Sequence, residues 1–202
     1  MPSLDVLSTL CCWSKHAMSS QTWGRYVCSM IDPAMSGPTR LVYAVDDVRE
    51  AAAGWAPVGI GPFFIVDHIE LLDVRVNGEE ATFDHSRASG WWGDVMFELI
   101  CQHGLRADAA PIVGTSGLHH VAHSVNNFEA TSAGLATDGH AEVLSARTTA
   151  GGGGGGFALH DGGSARGHLI GIYEATPALR DFSDMVRGAS IGWDGSDPVR
   201  SL

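Results

Sequence analysis

The sequence predicts an α+β fold in which two βαβββ modules form one curled, mixed β-sheet around a cleft. The first observation is that apolar and polar residues alternate over residues 118–125 with the period of a β-strand. Asn127 then provides a suitable N-cap for a helix that extends to about residue 137. The second observation is that residues 40–55 repeat this order of strand, acidic cap and helix. Repetition of a unit of this size indicates two related modules that share a cleft.

The remaining strands of the first module are predicted where β-branched and aromatic residues concentrate. They comprise residues 63–69, 71–76, 81–86 and 94–101. Asn77-Gly78 predicts a hairpin turn after the second of these strands. A Gly-Trp-Trp-Gly corner at 90–93 precedes the last one.

The second module ends with three strands and a helix. The strands are expected at 141–147, 157–161 and 168–174. Thr176-Pro177 begins the helix, since Thr is a good N-cap and Pro is favoured in the first helical turn. Six consecutive glycines at 151–156 are unable to maintain a regular element. We interpret them as a hairpin tip rather than a phosphate-binding loop, because neither a helix start nor a lysine follows.

The domain boundaries follow from these elements. We expect an N-terminal extension at 1–38, a first module at 39–104, a linker at 105–117, a second module at 118–189 and a C-terminal tail at 190–202. Residues 1–38 show the least regular pattern, and both a poorly ordered extension and a partner-binding arm fit them.

Composition limits the classes of function. The chain has 202 residues, of which 45% are hydrophobic and 17% charged, values typical of a globular protein. Its net charge of −11 disfavours nucleic-acid binding, and no apolar run approaches the length of a membrane span. We therefore expect neither a nucleic acid nor a membrane as a partner. The four cysteines form no CxxC pair, so we expect reduced thiols in a cytoplasmic protein. The sequence leaves open whether the protein is a homodimer.

Glu98 is a candidate functional residue because it interrupts an apolar strand. Burial of an unpaired carboxylate is costly. We therefore expect either an ion pair with a cation across the cleft or a catalytic carboxyl group with a raised pKa.

His120 is the second candidate, because it shares a strand face with the small residues Ala122 and Ser124. That face has room for a ligand, so His120 is expected to act as a general base or a metal ligand. Ser124 is expected to contact the ligand. His119 and His123 lie on the opposite face of the strand and are expected to pack against the helix.

Four further residues are expected to contribute to ligand binding. His85 and His160 each lie near the end of a predicted third strand, from which they could reach the cleft. Trp92 and Phe64 are aromatic residues that could form a wall of an apolar pocket.

The order of elements, with the segment His-His-Val-Ala-His-Ser-Val at 119–125, resembles the vicinal oxygen chelate superfamily. This superfamily includes glyoxalase I, methylmalonyl-CoA epimerase, bleomycin-resistance proteins and extradiol dioxygenases. Phe-Asp-His-Ser at 83–86 and Gly-His-Leu-Ile at 167–170 are similar to short sequence segments of uncharacterised bacterial glyoxalase-like proteins. The resemblance covers about residues 40–188 and implies a glyoxalase-like fold.

The resemblance also implies a set of positions for a metal ion. In metal-using members, the first and fourth strands of each module supply ligands, and these positions here carry Arg40, Glu98, His120 and Gly171. Carboxylate and imidazole suit Zn, Fe, Mn, Ni or Co, whereas arginine stays protonated and glycine has no side chain. We therefore predict no cofactor and an approach of Arg40 to Glu98. A divalent metal held by Glu98 and His120, with help from His85 or His160, is the alternative.

These residues leave more than one class of function open. One is an isomerase- or lyase-type enzyme that abstracts a proton next to a carbonyl, with His120 or Glu98 as base and Arg40 or a metal at the enolate oxygen. Another is a non-catalytic protein that binds and sequesters a small apolar or carbonyl-containing molecule, as bleomycin-resistance proteins do. A structural or regulatory subunit would require the N-terminal extension to engage a partner.

Overall fold

The computed structural model describes residues 37–106, 116–149 and 154–202, together with Met35 and Ile112. Within these residues it contains three α-helices and eleven β-strands. The helices are α1 (Val48–Trp55), α2 (Phe128–Thr137) and α3 (Pro177–Ser190). The strands are β1 (Pro38–Ala44), β2 (Phe63–Val66), β3 (Leu71–Val76), β4 (Glu79–Glu80), β5 (Thr82–Trp92), β6 (Val95–Arg106), β7 (Gly117–Val125), β8 (Glu142–Thr148), β9 (Gly156–His160), β10 (Leu169–Glu174) and β11 (Val199–Ser201).

Several predictions fall outside the described residues. They concern most of the N-terminal extension, three of the four cysteines and the first three residues of the glycine run. Among the described helices, none is long and apolar enough to cross a membrane.

All described strands belong to one mixed sheet with the order β11-β2-β5-β6-β1-β7-β10-β9-β8-β3-β4. Its eight central strands divide into β2-β5-β6-β1 and β7-β10-β9-β8, so the same order runs outward from the centre in both directions. In each half, the first strand pairs in parallel with the last strand of its own module. The predicted α+β fold of two βαβββ modules is therefore confirmed.

The two modules meet along the antiparallel ladder of β1 and β7. Leu41 lies opposite Val121, and the flanking pairs are Arg40 with Ala122 and Val42 with His120. A local two-fold relation through the central pair therefore exchanges Arg40 with His120. The sequence had placed these two residues at equivalent positions, and the strand register agrees.

The fourth strands obey the same relation. Glu98 on β6 lies opposite Val42, and Gly171 on β10 lies opposite Ala122. Glu98 and Gly171 are therefore equivalent in the two modules.

Polar side chains begin all three helices at the predicted residues. Asp47 accepts two backbone N–H bonds of 2.7 and 3.0 Å at the start of α1. Asn127 accepts one of 3.1 Å at α2, and Thr176 accepts one of 3.2 Å at α3. Each side chain satisfies a backbone donor that the first helical turn leaves without a partner.

Strands β5 and β6 are longer than the strands predicted at 81–86 and 94–101. β5 continues through Trp92, and the chain turns at Gly93, which has a φ of +60°; the predicted corner at 90–93 is therefore largely strand. β6 continues to Arg106, into the segment interpreted as a linker. The two strands pair along their whole length, so each extra residue adds to a continuous hydrogen-bonded ladder. The C-terminal tail adds β11 to the edge of the sheet beside β2.

The two faces of the sheet have different coverings. Helix α1 packs on Phe63, Phe97 and Leu99, and α2 packs near Val125 and Ile172, all on one face. Helix α3 lies across the other face, where alternation along β1 and β7 directs Arg40 and His120.

Candidate functional site: a cavity between the modules

A cavity of about 300 Å³ lies between the sheet and α3. Both modules contribute to its wall, and α3 supplies Leu179 and Phe182. Most of the wall is apolar, including Val42, Phe83, Ile100, Phe157 and Leu159. The polar groups that reach it include His85, Arg87, Glu98, His120 and Tyr173. The cavity thus combines a large apolar surface with a small number of polar groups, as small-molecule sites do.

Arg40 and Glu98 form a buried ion pair beside this cavity. The Arg40 Nη1 to Glu98 Oε1 distance is 2.7 Å, and the side chains are only 3% and 1% exposed. The Ser89 hydroxyl donates to the same carboxylate oxygen at 3.0 Å. Arg40 also donates to the Ser183 hydroxyl on α3, at 3.4 Å. The predicted approach of Arg40 to Glu98 is confirmed.

The ion pair determines the charge of Glu98. Burial by itself would raise the pKa of this carboxyl group, but Arg40, followed by Arg87 and the Ser89 hydrogen bond, outweighs burial and lowers it. Glu98 is therefore an ionised carboxylate at neutral pH. Its conjugate acid is strong, so the carboxylate is a weak base for proton abstraction.

His120 lies in a chain of buried hydrogen bonds. Its Nδ1 is 2.8 Å from His119 Nδ1, and its Nε2 is 3.2 Å from the Tyr173 hydroxyl oxygen. At the far end, His119 Nε2 lies 3.1 Å from the carbonyl oxygen of Ile112. A carbonyl oxygen only accepts, so His119 Nε2 donates to it.

When both imidazoles are neutral, this terminal carbonyl determines which atom donates in each hydrogen bond from His119 to Tyr173. His119 Nδ1 must then accept from His120 Nδ1, which leaves His120 Nε2 as the acceptor of the Tyr173 hydroxyl proton. Burial is the main cause of lowered pKa values for both His120 and His119, and the pKa of His120 falls well below 6.5. Burial, followed by the charge of Glu98, raises the pKa of Tyr173 to about 12. All three groups are consequently neutral at neutral pH.

His85 and Arg87 follow one another on the cavity face of β5. Neither His85 Nδ1 nor Arg87 Nε has a hydrogen-bond partner, although both atoms are buried. Arg87 Nε lies 3.8 Å from Glu98 Oε1, a distance that allows an ion pair but exceeds that of a hydrogen bond. Burial, followed by the charge of Arg87, lowers the pKa of His85 to about 4.

His160 does not line the cavity, in contrast to the prediction. Its Nε2 is 3.1 Å from the Ser132 hydroxyl on α2, and its Nδ1 donates to the carbonyl of His140 at 2.9 Å. Leu159 faces the cavity, so alternation turns His160 towards the helix layer. His85 lies near the start of β5 whereas His160 ends β9, so the two are not equivalent in the modules.

Three other residues predicted to contact a ligand also lie outside the cavity wall. Ser124 lies opposite Tyr173, near the end of β7. Trp92 ends β5 and is 48% exposed, and Phe64 is half-buried beneath the guanidinium of Arg200. Their positions near strand ends or at the edge of the sheet keep them away from the covered centre.

Sequence reasoning missed Arg87 and Tyr173. Arg87 shares a strand face with His85, so alternation from that histidine would have indicated it. Tyr173 is a polar-tipped residue that follows the apolar segment 169–172 in β10. No sequence signal indicates that Phe182 covers the cavity, because this contact depends on how α3 crosses the sheet.

The residues at the four ligand positions do not fit a divalent ion. Arg40 holds the Glu98 carboxylate, and both nitrogens of His120 are engaged within the protein. A Cβ atom at Gly171 would lie 2.6 Å from His120 Cδ2, so any side chain there would collide with the ring. Among the described residues, no group of three or more His, Cys, Asp or Glu is arranged to hold a metal.

Solved structures with a similar arrangement include methylmalonyl-CoA epimerase from Mycobacterium tuberculosis. The identity is 17%, the match covers 73% of this chain and 93% of that one, and the TM-score is 0.46. A hypothetical protein from Bacillus halodurans matches at 17% identity, covering 69% and 94% of the two chains with a TM-score of 0.45. Streptomyces coelicolor methylmalonyl-CoA epimerase in complex with 2-nitronate-propionyl-CoA matches at 15% identity, covering 71% and 97%, with a TM-score of 0.45.

No protein-family model matches the sequence, and no curated protein matches it. The paired βαβββ arrangement that the sequence resemblance implies is present in this chain.

We expect purified protein to contain far less than one transition metal per chain. The positively charged guanidinium of Arg40 lies beside Glu98 and His120, where the metal ion would bind, and repels a cation. Elemental analysis by mass spectrometry measures the ratio. The Glu98→Gln variant should have the same metal content as the wild type. A stoichiometric metal that is lost from both Glu98→Gln and His120→Gln would contradict this expectation.

We expect stability to decrease as the pH falls from 6.5 to 4.5. The pKa of His85 is about 4 in the folded protein and 6.5 without burial, so in this interval the unfolded chain binds a proton that the folded chain excludes. The contribution of neutral His85 to the free energy of unfolding is fully present above pH 6.5. By pH 4.5, His85 alone accounts for a loss on the order of 2–3 kcal/mol.

Urea unfolding at several pH values measures this loss. His85→Gln should reduce the dependence and leave the part that comes from His119 and His120, whose pKa values burial also lowers, whereas His140→Gln, at a histidine outside the cavity, should retain all of it. Equal slopes in the wild type and His85→Gln would show that His85 is not the cause.

Proposed function

We propose that this protein binds a compact small molecule, with an apolar body and an oxygen-bearing polar group, in the cavity between its modules. The observation that carries this proposal is the covered cavity of about 300 Å³, which has apolar walls and buried polar groups. This volume lies at the lower end of the range of small-molecule sites.

The position of the polar groups supports this proposal. Glu98 and Tyr173 both contact Arg40, whose guanidinium carbon lies 5.1 Å from the centre of the Tyr173 ring. Tyr173 in turn contacts His120. The polar groups therefore form one connected cluster, which can orient a ligand whose apolar part packs on Phe157, Leu159 and Leu179.

Binding without turnover is better supported than direct proton abstraction by Glu98 or His120. Protonation of Glu98 would remove the charge that stabilises Arg40 in a buried position, which is costly. Protonation of His120 at Nε2 would require the Tyr173 hydroxyl to release its hydrogen bond, in a site where burial already disfavours the imidazolium. Neither group is a strong base.

A cavity-filling variant tests this proposal. The probes are small aryl and alkyl ketones, aldehydes and carboxylates, and the measurement is the shift in melting temperature. A probe at a hundredfold excess over its Kd should stabilise the wild type by about 2.7 kcal/mol, a shift of a few degrees. Leu159→Trp should abolish the shift, because the larger side chain occupies the cavity.

Val58→Trp is the matched control, since Val58 is 64% exposed and outside the cavity. Recovery of the probe unchanged, by NMR, would distinguish binding from turnover. The proposal fails if no probe in the panel stabilises the wild type, or if Leu159→Trp responds as the wild type does.

The chain Tyr173–His120–His119 supports a second candidate function, an isomerase- or lyase-type proton transfer. The Tyr173 oxygen would accept a proton from a carbon next to a carbonyl while its own proton passes to His120 Nε2. The His120 Nδ1 proton would pass to His119 Nδ1, so that the positive charge resides on His119 and the negative charge on the substrate enolate. Arg87, which lines the cavity, would stabilise that enolate.

The tautomers that this transfer requires are directly measurable. Long-range ¹H–¹⁵N NMR should show His119 protonated at Nε2 and His120 at Nδ1 at neutral pH. Tyr173→Phe should shift the Nε2 resonance of His120, because it removes the hydroxyl donor. His160, which donates from Nδ1 to a backbone carbonyl, is the internal control. A proton on His120 Nε2 would exclude the relay.

A further inference from the structure

Two adjacent inward-facing side chains on β5 carry buried polar atoms without partners. They are His85 Nδ1 and Arg87 Nε, and both side chains line the cavity. Unpaired buried polar atoms are rare in folded proteins, and each one costs free energy unless a partner is supplied. Because both side chains line one cavity, a single bound group that enters it is able to contact both residues.

The charges around the cavity do not balance. Among the described lining residues, Arg87 and Glu98 are charged, and Arg40 lies directly behind Glu98. Arg40 donates to Glu98 Oε1 at 2.7 Å, whereas Arg87 Nε remains 3.8 Å from the same atom. The side chains of Arg40, Arg87 and Glu98 therefore carry one excess positive charge, on a mostly apolar wall where the Arg87 side chain is 22% exposed.

The position of Arg87 makes it suitable as an anchor. Its guanidinium carbon lies 5.3 Å from the centre of the Phe182 ring on α3, a cation–π contact that restrains the side chain. A guanidinium group restrained in this way is a good partner for a carboxylate, since its N–H donors match the two carboxylate oxygens.

His85 complements Arg87 without adding charge. Its ring stacks on Phe83 with 4.6 Å between the ring centres, which holds the imidazole in place. The neutral ring has one N–H, and the tautomer with the proton on Nδ1 donates to an oxygen atom. A neutral donor beside a cation suits a group with one negative charge.

We propose that the ligand of the cavity is a compact monoanion, an apolar or aromatic carboxylate, whose oxygens bind Arg87 and His85. This inference rests on the proposed binding function and names the chemical class of the ligand. The bound carboxylate neutralises the remaining charge and gives both side chains a polar partner, and the apolar body lies against Phe182 and Leu179.

Matched acid and amide probes test the charge requirement. Isothermal titration calorimetry is performed with 3-phenylpropanoate and 3-phenylpropanamide, and with hexanoate and hexanamide, which have nearly equal size within each pair. The acids should bind the wild type at least about tenfold more tightly than the amides, because only the acids are charged.

Substitution of Arg87 tests the anchor. Arg87→Gln should weaken acid binding about tenfold or more and leave amide binding within about threefold. Arg87→Lys should retain part of the acid affinity, because it keeps the charge but loses the bidentate geometry. Arg75→Gln, on the exposed β3 hairpin, is the control and should bind both probes as the wild type does.

The outcomes separate this inference from the proposed function. Amides that bind as tightly as acids would overturn the monoanion and leave binding in the cavity intact. Acid binding that is unchanged in a folded Arg87→Gln variant would overturn the anchor. A wild type that binds neither acids nor amides would overturn both proposals. If Arg87→Gln does not fold, the comparison of acids with amides in the wild type decides the charge requirement.

Discussion

The buried ion pair between Arg40 and Glu98 is the interaction on which the rest of the site depends. It joins β1 to β6, and removal of one partner from such a pair generally costs about 3–5 kcal/mol because a buried charge remains. Arg40 keeps Glu98 ionised and occupies one of the four positions considered for a metal ion. The same Glu98 oxygen lies 3.8 Å from Arg87 Nε, beyond hydrogen-bond distance. The charge state of Glu98, and with it the electrostatic environment of the cavity, therefore depends on Arg40.

Gly171 imposes a second constraint. Without a side chain at this position, the His120 ring lies against β10 and reaches the Tyr173 hydroxyl. A metal ligand at residue 171 and the present position of His120 exclude each other sterically. Where the two modules meet, the first module therefore contributes the ion pair of Arg40 and Glu98. The second module contributes the neutral hydrogen-bonded chain through His120.

The fold provides a place for a ligand but does not determine the chemistry, since one fold supports many functions. Four features of the cavity support the proposed recognition of a ligand: apolar walls, residues of α3 along one side, a neutral His85 and an incompletely paired Arg87. The available bases are weak, because neighbouring arginines lower the pKa of Glu98 against the effect of burial, whereas burial itself lowers the pKa of His120. Any proton transfer therefore needs several groups that act together, for which the directed chain ending at His119 is suited.

The sequence by itself determined the modules, the helix starts and the equivalence of Arg40 with His120, because strand alternation and helix capping are local rules. It also indicated the ion pair of Glu98, since a buried carboxylate requires a partner. Only the tertiary structure decided that His85 faces the cavity and His160 faces α2, because a shift of one residue in register reverses the face of a strand. The same holds for the cover provided by Phe182 and for the direction of the hydrogen bonds through His120. These depend on contacts between segments far apart in the chain, which no local pattern encodes.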